Sequence, residues 1–211
     1  YIINNDRFFG FSSELKGITA FPFERKLDYN ALSYYLQLHY VPAPLSMLEG
    51  VEKLEPGTLM EVSRQGVRKE KYYQIPYERT SSNISYDDAQ NTLVQKLTES
   101  VQLRLISDVP LGTFLSGGID SSIISLIASR NVDSLQTFSI GFKDNPFIDE
   151  TFYAQLVAKK IHSQHTEIQI DKTNLEFALD SILNDIDEPF ADSSAIAVNV
   201  LCKYVKPHVT V

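Results

Sequence analysis

The chain has 211 residues, 43% of them hydrophobic, enough for one sizeable core or for one domain with a piece of another. Its 19 Lys and Arg against 27 Asp and Glu leave a net charge of -8, which argues against a nucleic-acid partner because phosphate contacts need clustered cations. The single cysteine, Cys202, excludes an internal disulfide framework, and no apolar run reaches membrane-spanning length.

In chain order, the first part reads as β-rich. Short segments such as RFFGFSS, GTLMEVS and VRKEKYYQI carry aromatic or β-branched residues with turn signals between them. One helix is expected over Ala31 to Tyr40, stopping before Pro42 and Pro44. The boundaries expected are 1–75 for this part, a polar linker over 76–84, and a second part over 85–211. Ser85 with Asp88 predicts a capping pair, and Ala89, Leu93, Leu97, Val101 and Leu105 follow at helical spacing.

Beyond that helix, strand and helix patterns alternate. Strands are predicted at LGTFL, LQTFSIGF and HTEIQI, with a final strand at HVTV. Helices are predicted over Ser121–Arg130, Glu150–Ile161, Leu175–Ile186 and Ser194–Val205. Such alternation implies an α/β fold with a parallel sheet, and ligands of these sheets bind at the carboxyl ends of strands. The start at Tyr1, with neither methionine nor a signal-like segment, suggests a piece of a longer cytoplasmic protein.

The stretch FLSGGIDSSIISLI, from Phe114, lies at one such strand end. Gly117 and Gly118 allow positive φ and close backbone approach, so successive N–H groups can face an anion. The following helix adds its positive N-terminal end, and Ser116, Ser121 and Ser122 offer hydroxyls. Asp120 would repel phosphate unless a cation lay between them, which suggests Mg²⁺. A strand-to-helix turn capped by Asp120 or Ser121 is the plain alternative. The loop lacks the lysine of a Walker A sequence, so a bond other than the terminal phosphoryl link is the one to expect broken.

With SGGIDSS the chain resembles the PP-loop family of N-type ATP pyrophosphatases. RLISDVPLGTFLSGGIDSS, TFSIGF and DEPFADSSA together look like the synthetase domain of the glutamine-hydrolysing asparagine synthetase family. FGFSSELKGI, YVPAPLSMLEGVEKLEPGTLMEV and KYYQIP resemble the end of that family's glutaminase domain and the joining segment. The resemblance implies a PP-loop, Rossmann-like α/β domain preceded by a β-rich remnant of an Ntn-type glutaminase.

Residue by residue, it implies that Ser116, Gly117, Gly118, Asp120 and Ser121 form the pyrophosphate loop. Ser116 and Asp120 would be catalytic, Asp120 a magnesium contact, and Leu115 and Ile140 adenosine contacts. The implied reaction uses ATP and Mg²⁺, adenylates the aspartate side chain, releases pyrophosphate, and completes asparagine with ammonia or glutamine-derived nitrogen. Relatives on the same scaffold act on sugar acids or β-lactam precursors, and a non-catalytic nucleotide-binding module is a further option. The glutaminase cysteine and the family's second ATP loop are not in this stretch, so the fragment itself is expected to be inactive. A homodimer is left open, with no membrane partner.

Other candidates have plainer readings. Glu188 and Asp192, in DEPFADSS, would approach the acyl-acceptor site by resemblance, yet capping and loop solvation explain them as well. His162 and His165 lack the acidic or thiol company of a metal pair and are expected to be structural. Cys202 is expected in the core with Ala195, Val198 and Leu201, and Tyr72–Tyr73 in strand packing.

Overall fold

The computed structural model describes residues 1–77, 83–147 and 149–211. Five of the expected linker residues, 78–82, lie outside the described residues. Two compact units emerge, one of Tyr1–Ser81 with Leu183–Asp192, the other of Ser82–Ile182 with Ser193–Val211.

In the first unit, β1 (Ile2–Asn4) sits between β2 (Phe9–Phe11) and β3 (Val51–Glu52), both antiparallel to it. Helix α1 (Leu15–Ile18) packs there, giving a cluster of Ile3, Leu15, Ile18 and Val51 beside the stacked Phe8 and Phe21 rings. Helix α2 (Tyr29–Leu38) begins two residues earlier than expected. The cause is Asp28, whose carboxylate accepts from the Asn30 and Ala31 amides at 2.8 and 3.0 Å and so caps the helix. It ends at His39 in the left-handed region. β4 (Thr58–Ser63) and β5 (Gly66–Lys71) form a separate hairpin. Tyr72 and Tyr73 lie just past it and are exposed rather than packed.

The segment Leu183–Asp192 is held in this unit by side chains distant in sequence. Asp187 accepts from the Leu15 amide at 2.6 Å and the Lys16 amide at 3.3 Å, supplying α1 with the cap that Glu14 does not. Glu188 accepts from the Met47 amide at 2.7 Å and pairs with Lys53. The Ala191 amide donates to the His39 carbonyl at 2.9 Å.

The second unit opens with α3 (Tyr86–Arg104), where Ser85 Oγ accepts from the Asp88 amide and the Ser85 hydroxyl meets the Asp88 carboxylate at 2.7 Å. The elements β6 (Gly112–Phe114), α4 (Ile119–Ser129), β7 (Gln136–Phe142), α5 (Thr151–Ile161), β8 (Gln164–Ile170), α6 (Lys172–Asp185) and α7 (Ser194–Val205) follow. β6, β7 and β8 form a parallel sheet in that order, the α/β class expected. One face buries Phe138, Ile168 and Ile170 against Ala178 of α6 and Val200, Leu201 and Val205 of α7. Beyond the end of β6, Leu115 packs against Ala154 and Ala158 of α5. Val101 of α3 meets Ile127 and Ala128 of α4.

Two further expectations need correcting. HVTV forms no ladder: the Gly112 amide donates to the Val211 carbonyl at 2.8 Å and the Thr210 and Val211 amides donate to the Pro110 carbonyl, at the edge of β6. Cys202 is exposed, not core, because the buried stripe of α7 runs through Val200, Leu201 and Val205 and leaves the next position turned away. Among the described residues, no helix is long and apolar enough to cross a membrane.

Candidate functional site

The Ser-Gly-Gly loop leaves the carboxyl end of β6, where Leu115 is buried and its amide donates to the Phe138 carbonyl at 2.8 Å. Ser116 Oγ lies 2.9 Å from Ser121 Oγ. It also accepts from the Gly118 amide at 3.3 Å, and the Ser121 hydroxyl donates to the Gly118 carbonyl at 3.2 Å. Two hydroxyls thus close the loop upon itself.

Gly117 has φ of +85°, and a Cβ there would stand 2.5 Å from the Ala154 nitrogen and 2.5 Å from Tyr153 Cβ. Only glycine fits between the left-handed backbone and the first turn of α5. Gly118 is the N-cap of α4 with no side-chain cap hydrogen bond, so the opening amides of the helix remain available to a ligand. Asp120, in that first turn, is exposed and its side chain makes no hydrogen bond or ion pair among the described residues. Such a carboxylate fits a hard cation such as Mg²⁺ beside bound phosphates. Ser122, the third hydroxyl expected, is instead buried without a hydrogen-bond partner among the described residues.

Beside the loop, a depression of about 150 Å³ is lined by Leu115, Ser116, Ile140, Phe142, Glu150 and Thr151, among others. Its walls are largely apolar, as suits a heterocycle. It is smaller than the roughly 300–1,000 Å³ of whole-ligand pockets. Ser116, Leu115 and Ile140, singled out from the sequence, are brought together here.

The side of the sheet facing α5 is polar. Thr137 Oγ1 and Ser139 Oγ lie 2.9 and 3.1 Å from the two ring nitrogens of His165, and Ser163 Oγ lies 2.9 Å from Thr137 Oγ1. Both nitrogens are thereby committed, which supports the structural reading of this histidine. Burial holds its pKa below the ordinary histidine value, opposed by the nearby Glu167. Glu167 takes hydrogen bonds from Gln155 and Gln169. Asp149 accepts from the Thr151 amide and hydroxyl at 2.9 and 2.6 Å, and the hydroxyl bond above all holds its carboxyl below the usual range.

Glu188 and Asp192 belong to the first unit, whereas the loop belongs to the second. Glu188 is satisfied by Met47 and Lys53. Together with burial, its charge raises the pKa of the Tyr1 phenol. Sequence reasoning overlooked Glu150 and Thr151 as lining residues, since Asp149 and Glu150 ahead of a helix read as ordinary capping.

Residues 92–211 match the family model described as asparagine synthase, and residues 1–73 match that of the glutamine amidotransferase domain. The chain is 31% identical over 100% of its length to asparagine synthetase [glutamine-hydrolyzing] 1 of Bacillus subtilis, covering 33% of that protein. It is 32% identical over 96% of its length to putative asparagine synthetase [glutamine-hydrolyzing] 2 of Methanocaldococcus jannaschii, covering 40% of it. The chain therefore spans well under half of the curated relatives it matches. A solved NH3-dependent NAD synthetase from Campylobacter jejuni matches at a TM-score of 0.38 and 15% identity, over 56% of this chain and 52% of that one.

Proposed function

The chain belongs to the asparagine synthase family, and from that premise we propose that its parent protein makes asparagine from aspartate, ATP and glutamine-derived ammonia. In this reading residues 1–75 end a glutaminase domain, 76–84 link, and 85–211 begin the ATP-binding domain. The observation that carries it is the Ser116–Ser121 hydroxyl tie around Gly117, at the uncapped start of α4.

The aspartate β-carboxylate attacks the α-phosphorus of ATP. A bond forms between carboxylate oxygen and phosphorus while the bond to the β-phosphate oxygen breaks, leaving β-aspartyl-AMP and pyrophosphate. Ammonia then adds at the acyl carbon and AMP leaves with its oxygen. The chain's own contribution is alignment and charge neutralisation. Ser116, Gly117, Gly118 and Ser121 would hold the departing pyrophosphate by hydroxyl and amide donors. Asp120 would hold Mg²⁺, which offsets negative charge on the phosphates when bound. Leu115 and Ile140 would flank the adenosine.

Glu188 and Asp192 are assigned to the acceptor side of the parent protein. Glu188, with its carboxylate already engaged, would shape that side rather than touch substrate. The parent is read as cytoplasmic, with aspartate, ammonia and glutamine as small-molecule partners.

The test is pyrophosphate release by the full-length parent given ATP, Mg²⁺ and ammonia, with and without aspartate, beside Asp120→Ala. Aspartate-dependent release that disappears in the variant is expected. Release that depends on a sugar acid or β-lactam precursor would move the parent to another amidotransferase, and no release with any carboxylate would leave a nucleotide-binding module.

A further inference from the structure

Glu150 is a carboxylate that the fold positions beside the phosphate loop but does not use. Its backbone carbonyl accepts from the Tyr153 and Ala154 amides at 3.0 and 3.2 Å. Tyr153 and Ala154 are the residues against which Gly117 rests without room for a Cβ. Glu150 therefore stands one helical turn from the contact that sets the loop, and its position is tied to the loop's.

Its side chain is exposed and makes neither a cap hydrogen bond nor an ion pair among the described residues. The adjacent Asp149 is wholly different, since it is consumed by Thr151. Of two consecutive acids, one builds the start of α5 and the other lines the depression together with Leu115, Ser116 and Ile140.

An ionised carboxylate only accepts hydrogen bonds, so its partner must bring donors. The depression is apolar at Leu115, Ile140 and Phe142 and reaches the phosphate loop at Ser116. A nucleotide laid along it puts its base against the apolar wall and its phosphates on the loop. The sugar falls between, and the donors of a ribose are its 2′ and 3′ hydroxyls. The phosphates themselves would be repelled by Glu150. We propose that Glu150 accepts hydrogen bonds from the ribose hydroxyls of ATP and so makes the site selective for ribonucleotides over deoxynucleotides.

This inference rests on the nucleotide-binding reading above. A hydrogen bond to a charged group corresponds to about 10- to 100-fold in affinity. In the full-length parent, KM and kcat for pyrophosphate release would be measured with ATP, 2′-deoxy-ATP and 3′-deoxy-ATP, for the unmodified protein, Glu150→Gln and Glu150→Ala, with thermal unfolding as the check on folding. The expected result is a preference for ATP of about 10- to 100-fold in KM over at least one deoxy analogue. That preference should shrink towards unity in Glu150→Ala and partly in Glu150→Gln, with the change in KM rather than kcat.

An equal preference in all three proteins, or none in the unmodified protein, overturns the role of Glu150. So does a variant whose Mg²⁺ requirement rises equally with every nucleotide, which would make the residue a cation ligand. No pyrophosphate release from any nucleotide by the unmodified protein would instead remove the synthetase reading, and the same comparison of ATP with its deoxy analogues in the three proteins would then be read from equilibrium binding, where equal affinities overturn the role of Glu150.

Discussion

Lys53 and Glu188 form an ion pair whose side chains are 21% and 8% exposed, and Glu188 also accepts from the Met47 amide. Lys53 further donates to the Val41 carbonyl at 2.7 Å and lies over the Tyr1 ring. Removing one member of a largely buried pair strands the other. Glu188→Ala is therefore expected to destabilise the first unit by about 3 kcal/mol. The double variant Lys53→Met with Glu188→Leu should lose clearly less than the two single losses added together. Urea unfolding of the four proteins checks this, and strict additivity would mean the pair is not coupled.

The two loop glycines should respond differently. Gly117→Ala puts a Cβ into the backbone of α5 and strains a left-handed residue, so about 2 kcal/mol or more of stability and the nucleotide affinity should go together. Gly118→Ala meets only Ser116 Oγ, at 3.3 Å. It should fold with a loss below about 1 kcal/mol, the range of ordinary surface changes, and weaken nucleotide binding through the displaced serine. Thermal unfolding and ATP titration of both variants separate the two effects.

Acid should weaken the second unit in two windows. His165 binds its proton less readily folded than unfolded, so the unfolded state takes up more protons once pH falls below about 6.5, and stability falls with it. His165→Gln is expected to flatten the urea midpoint between about pH 7.5 and 5. The carboxyl of Asp149 is held low when folded, so its contribution is present above the unfolded value near about 3.9 and is lost as pH drops through the folded value. Thr151→Val should remove most of that lower window.

Cys202, the one thiol of the chain, is open to solvent on α7. A thiol reagent should label it in the native protein at a rate within about tenfold of the urea-unfolded chain, since exposure sets access. Protection of a thousandfold or more would return it to the core.

Local chemistry made much of the second unit legible. Ser85 and Asp88 announce the start of α3, and α7 occupies the span its pattern predicts. The loop glycines and serines mark the strand-to-helix turn between β6 and α4. What escaped depends on partners distant in sequence. No local pattern shows that the four residues of α1 become helical under a cap from Asp187, or that Leu183–Asp192 joins the first unit. Periodicity marked α7 as amphipathic but not which edge of the stripe Cys202 would occupy. The strand HTEIQI gave its class correctly. That its His165, Glu167 and Gln169 would bond to polar groups of neighbouring elements follows only from the facing residues of β7 and α5.

The cap that Asp187 lends to α1 reaches across 172 positions. During synthesis at about 5–20 residues per second, α1 is made roughly 9–34 s before that carboxylate exists. Through that interval the first unit carries a short helix with an open end, and Met47 and Lys53 wait for Glu188. The first unit therefore waits until Ser82–Ile182 of the second has been made before its own last segment, Leu183–Asp192, can join it.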